Sequence, residues 1–100
     1  MTLAPALFLV ILLAPRYEAR VRTYGCNSSS AVAELEKARA EPTAFQKLLL
    51  TRIAYGDCIG IGKGTVVEGA LEQGDRSVLR IEARNSPPGY MAPLADFRPL

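Results

Sequence analysis

No histidine and no tryptophan occur in this chain of 100 residues, and only two cysteines do. Without histidine there is no His-based catalytic triad and no His-ligated metal centre. Two thiols cannot complete a four-ligand zinc site by themselves. Aromatic residues are scarce at 7%, and neither positive nor negative charge is in excess outside a short stretch. From Cys26 to Leu100 there are nine basic and nine acidic residues, so that part is neutral. The formal excess of +2 comes from Arg16, Arg20 and Arg22 against Glu18. A nucleic-acid binder gathers Lys and Arg on one face, and no such stripe is present. The sequence therefore points to no cofactor, no metal, no nucleic acid and no catalytic residue.

Apolar residues are plentiful, at 49%, and their densest run lies at the start. Leu3 to Ala14 (LAPALFLVILLA) carries no charge and ends at Pro15. A membrane-spanning helix needs about 20 such residues, whereas the apolar core of a signal peptide needs about 7–15. The run reads as an export signal or membrane anchor, with membrane contact through residues 3–14. Three arginines follow it and none precedes it, which opposes the usual charge rule for export. Residues 1–25 are thus assigned to a leader or anchor with its linker, and 26–100 to a single small domain. Localisation is then periplasmic or secreted, with membrane anchoring as the alternative.

Within 26–100 the pattern is α+β. Asn27-Ser28-Ser29-Ser30 is a hydrophilic connector, and Ser30 is positioned to cap a helix. Ala31 to Glu41 is rich in helix formers with a thin stripe of Val32, Leu35 and Ala38. Pro42 interrupts it. Thr43 and Gln46 have the spacing of a capping box. Phe45, Leu48, Leu49, Arg52 and Ile53 then follow a helical period up to Gly56. The spacing predicts two helices over 30–55, or one helix kinked at Pro42. After Asp57 the period changes to two. Cys58 to Ile61, Thr65 to Glu72, Ser77 to Arg84 and Tyr90 to Ala92 read as short strands separated by Gly-containing turns. In the third of these Leu79, Ile81 and Ala83 face inward. A terminal turn over Leu94 to Leu100 brings Phe97 back to the core.

Residues 57–98 resemble a small SH3-like barrel of the bacterial type. Lys63-Gly64-Thr65-Val66-Val67 resembles the entry to its central strand. Gly74 to Ile81 resembles the following hairpin. Gly89-Tyr90-Met91-Ala92-Pro93 resembles the closing segment, with Phe97 near the terminal aromatic. The resemblance implies an antiparallel SH3-like β-barrel after the two helices, and Tyr90 as a ligand surface. It also implies binding to a peptide or to cell-wall material.

Two features invite chemistry. Gly60 to Thr65 is glycine-rich, but a phosphate loop needs glycine at the position of Asp57, Ser or Thr at Gly64, and a helix afterwards. None is present, so the segment is a hairpin turn. Cys26 and Cys58 are the other feature. In an exported domain they are expected to pair as a disulfide. The alternative is lipidation of Cys26, because Thr23-Tyr24-Gly25-Cys26 resembles the end of a bacterial lipoprotein box. The leading expectation is a small non-enzymatic binding module of the cell envelope, whose partner is an envelope protein or a cell-wall ligand. The alternatives are a membrane-held structural component of an envelope assembly and, further off, a small hydrolase using carboxylates such as Asp57, Glu68, Glu72, Asp75, Glu82 and Asp96.

Overall fold

The computed structural model describes residues 15–82 and 89–100. The apolar run at residues 3–14, Ala83 and Arg84 at the end of the expected strand, and most of the loop before Gly89 lie outside these residues. In chain order the elements are β1 (Arg16–Ala19), β2 (Thr23–Cys26), α1 (Ser29–Ala38), α2 (Pro42–Ala54), β3 (Cys58–Ile61), β4 (Val66–Leu71), β5 (Val78–Ile81), β6 (Tyr90–Pro93) and β7 (Phe97–Pro99). A single 3-10 turn, Leu94–Asp96, precedes β7. Among the described residues the class is α+β, with two α-helices beside an antiparallel sheet.

The helices begin where local chemistry allows. Ser28, two residues earlier than the Ser30 expected, caps α1 by accepting the Ala31 amide at 3.2 Å. Ala31, Val32 and Leu35 then form its buried stripe. Pro42 sits in the first turn of α2, where a missing N–H costs no helical bond. The capping box at Thr43 and Gln46 is not made, because the helix starts two residues too early, with Glu41 rather than Thr43 at the N-cap. Glu41 is the N-cap and makes no side-chain capping bond.

The strand order is β3-β2-β6-β5-β4-β1-β7, and every pair is antiparallel. The sheet is open, with β3 and β7 as its edges. The closed barrel implied by the SH3-like resemblance is therefore absent: no ladder joins β3 to β7. Within residues 16–25, which the sequence pattern puts in a leader and linker, lie β1 and all of β2 but its last residue, Cys26. Thr23, Tyr24, Gly25 and Cys26 are all buried, because β2 lies between β3 and β6 and is covered on both faces. A four-residue strand of that kind shows no alternation that a period-2 search could find.

Side chains alternate across the sheet and build a core on each face. On one face Ala19, Ile61, Leu79, Ile81, Ala92 and Phe97 pack together, with Tyr17, Val67 and Leu94 against them. On the other, Tyr24, Cys26 and Cys58 meet Ala31, Val32 and Leu35 of α1, with Phe45, Leu48 and Leu49 of α2 and Met91 of β6 alongside. Gly69 lets β5 come close to β4. A Cβ placed there would stand 2.5 Å from the Arg80 carbonyl oxygen, too near for any other residue. Cys26 and Cys58 are directly opposed on β2 and β3 and form a disulfide 32 residues apart in sequence. With its sulfur in that bond, Cys26 has no thiol to acylate, so the lipidation alternative does not describe this fold.

Candidate binding groove

Helix α2 is amphipathic in sequence but incompletely covered in the fold. None of its 13 residues is fully buried. Phe45, Leu48 and Leu49 rest half-buried on the second core. Leu50 is 57% exposed and Ile53 37%. Arg52, which interrupts the apolar face, turns aside to pair with Asp57 at 3.1 Å and with Glu34. A short amphipathic helix in water depends on burying its apolar stripe, and this one buries only part of it.

The uncovered part of α2 faces the end of β3. Between them lies a groove of ≈ 730 Å³ whose walls include Phe45, Leu49, Leu50 and Ile53 on one side and Gly60, Ile61 and Gly62 on the other. Gly60 makes the space. It is paired with Tyr24 and lies on the helix side of β3, where nothing comes within 4 Å of a Cβ built on it. The ring of Tyr24 stands edge-on to Phe45, with centroids 5.8 Å apart.

Backbone groups complete the groove. The Asn27 amide donates to the Asp57 carbonyl at 2.9 Å. Alternation along an antiparallel ladder then gives the next bonded pairs as Gly25 with Ile59 and Thr23 with Ile61. The Cα atoms of Cys26 and Cys58 are 3.9 Å apart, as suits the closer, non-bonded kind of pair. The N–H and C=O of Gly60 therefore point away from β2, toward the open edge.

A polar network stiffens one end. The Thr23 hydroxyl donates to Asp96 Oδ2 at 2.7 Å. Arg39, just past the end of α1, grips the same carboxylate with two bonds of 3.1 and 2.7 Å. Its Nε lies 3.1 Å from Glu36, which accepts the Tyr24 hydroxyl at 2.6 Å. The guanidinium also stands over the Phe45 and Tyr24 rings, 5.5 and 6.0 Å from their centroids. Burial alone would push the Asp96 carboxyl up. The bonds from Arg39 and Thr23 and the charges of Arg39 and Arg20 outweigh it and hold the group below its ordinary value. Burial, reinforced by the bond to Glu36, pushes the Tyr24 phenol well above its ordinary range. Among the described residues no buried polar side-chain atom lacks a partner. A fully satisfied network of this kind fixes positions. It holds Tyr24 and Arg39 where they line the groove.

The sequence-based candidates fall elsewhere. Cys26 and Cys58 come together, but as a structural staple behind the groove. Tyr90 lies half-buried on β6, opposite Ile81 and against Gly25, and is not part of the groove lining. Of the scattered carboxylates, Asp57 is held by Arg52, Glu72 by Arg80, Asp75 by the Ser77 amide and hydroxyl, and Asp96 by Arg39. Of the residues that shape or steady the groove, the sequence marks Gly60 only as part of a glycine-rich turn and Asp96 only as one scattered carboxylate, and it does not single out Arg39. The nearest signal is the apolar face of α2, interrupted by Arg52. Neither a protein-family model, nor a curated protein, nor a solved structure matches the chain, so the groove is read on its own chemistry.

Proposed function

We propose that the chain is a non-enzymatic binding module of an exported or envelope-associated protein, and that its ligand is a segment of a protein partner held between α2 and β3. The observation that carries this reading is the uncovered apolar wall of α2 beside a strand edge with free backbone groups. Apolar walls with a few placed polar groups are the usual make-up of a ligand site. A strand edge next to a helix offers main-chain bonds and side-chain pockets together. The disulfide supports an oxidising compartment. No helix among the described residues is long and apolar enough to cross a membrane. The engagement of most of the candidate carboxylates by basic or hydroxyl partners supports a structural role for them rather than acid–base chemistry. The resemblance of residues 57–98 to SH3-like modules suits a binding role, here on an open sheet.

Amide NMR separates the protein ligand from the cell-wall ligand. The oxidised, isotope-labelled protein is titrated with a peptide digest of envelope proteins and, separately, with soluble muropeptides. The peptide pool is expected to move amides of residues 45–53 and 59–62. Shifts from muropeptides alone, centred on Tyr90, would transfer the function to cell-wall binding. No shift with either would contradict a binding module.

A further inference from the structure

The groove is asymmetric in charge. Arg22 and Arg39 line it, and among its described lining residues there is no Asp or Glu. Arg39 is already neutralised, because Asp96 and Glu36 both hold it. Arg22 is exposed and, among the described residues, makes no ion pair. It immediately precedes Thr23, whose partner on β3 is Ile61, so its charge stands at the Gly62 end of that strand. One end of the groove thus carries an unbalanced cation, while the α2 wall beside it is mainly apolar, with Gln46 as its polar member, and β3 is a free edge among the described residues.

We infer that the occupant is an extended, apolar protein segment with an acidic residue at one end, which adds a strand to β3 and places its carboxylate on Arg22. This deepens the binding function proposed above and rests on it. The outward N–H and C=O of Gly60 bond to the added strand. Alternate side chains of that strand reach the space above Gly60 and cover Leu49, Leu50 and Ile53. The carboxylate is recognised through charge complementarity, which contributes direction and selectivity more than raw affinity.

The test uses the intact, oxidised chain and three sets of fluorescein-labelled, end-blocked hexapeptides of alternating valine and threonine. One set carries glutamate first, one carries it last, and one carries glutamine in its place. Binding is read by fluorescence polarisation. An acidic set should bind about three- to fivefold more tightly than the glutamine set, as suits an exposed ion pair, and the preferred end gives the strand direction. Arg22→Gln should erase that preference while leaving apolar binding. Gly60→Pro removes an outward donor, which an edge strand tolerates, and should weaken every set by roughly tenfold or more. Gly60→Val fills the empty space and should do the same through shape. Circular dichroism and thermal melts confirm that the variants fold.

Equal binding of acidic and glutamine sets would overturn the acidic partner and leave the binding module standing. Unchanged binding by both folded Gly60 variants would overturn strand addition at β3. Self-association of the free chain that Gly60→Pro abolishes would give the groove to a second copy and overturn a foreign partner. Failure of all three sets to bind would remove this inference, while the NMR titration with natural peptides still decides the broader function.

Discussion

Replacing Cys26 and Cys58 together by alanine is expected to lower the unfolding free energy by about 3–4 kcal/mol and the melting temperature by about 15–25 °C. The bond closes a loop with a sequence separation of 32. In the chain-entropy account, removing it returns that freedom to the unfolded state. Both sulfurs also belong to the core beneath the helices. The closed loop contains α1 and α2 in full, so the staple ties both ends of the helical hairpin to neighbouring strands. The loss should therefore be uneven. Hydrogen exchange should accelerate in α1 and α2 more than in β4 and β5 when the bond is reduced. A melting temperature unchanged by reduction would contradict this. The same bond reports on location. Protein taken from its native host under thiol-blocking conditions should show no alkylated cysteine and should gain about 2 Da on reduction. Two alkylated thiols there would place the chain in a reducing compartment and remove the export reading.

The substitution Asp96→Asn is expected to cost about 2–3 kcal/mol at neutral pH. Asp96 is 6% exposed and joins Thr23, 73 residues away, to Arg39, 57 residues away. Removing its charge leaves the guanidinium facing a neutral amide and disturbs the Thr23 bond. The figure is set below that of a fully buried pair because the Arg39 side chain is 38% exposed and partly screened. The pH dependence follows from the direction of the shift. The carboxyl is held below its ordinary 3.8 in the folded chain. Its contribution is thus complete above that value and drains away as pH falls through the lower, folded one. Urea melts at about pH 7 and about pH 3 should show the gap between the two proteins narrowing in acid. A gap that stays constant would mean that Asp96 is not the group responsible.

Much of the local architecture was legible. The α1 stripe is built on Val32 and Leu35, and β5 buries Leu79 and Ile81, because period and propensity agree at those positions. The turn at Leu94–Asp96 and the return of Phe97 to the core were legible, but Phe97–Pro99 is strand β7 and not a continuation of the turn to Leu100. The pairing of Cys26 with Cys58 was legible from their number together with the expected export, and the fold selects it over lipidation of Cys26. Other features depend on partners distant in sequence. β1 and β2 are short and flanked by charge, and only their neighbours in the sheet make them strands. Closure of the sheet depends on whether β3 meets β7, which no local motif encodes. In sequence Arg39 is one more charge in a helix-forming segment, and Asp96 is one of several scattered acids. Their bond spans 57 positions. The groove itself exists because Gly60 lies opposite Tyr24, a register that appears only once β2 and β3 are paired.

In the cell a partner is expected to cover the exposed wall of α2. The most direct measurement places a photo-crosslinking amino acid at Leu50, with the same probe at exposed Arg76 as control, and irradiates living cells of the native host. Position 50 should give a discrete protein adduct, absent at position 76, that diminishes when Gly60→Pro is added. No adduct from position 50, or an equal pattern from both positions, would contradict it.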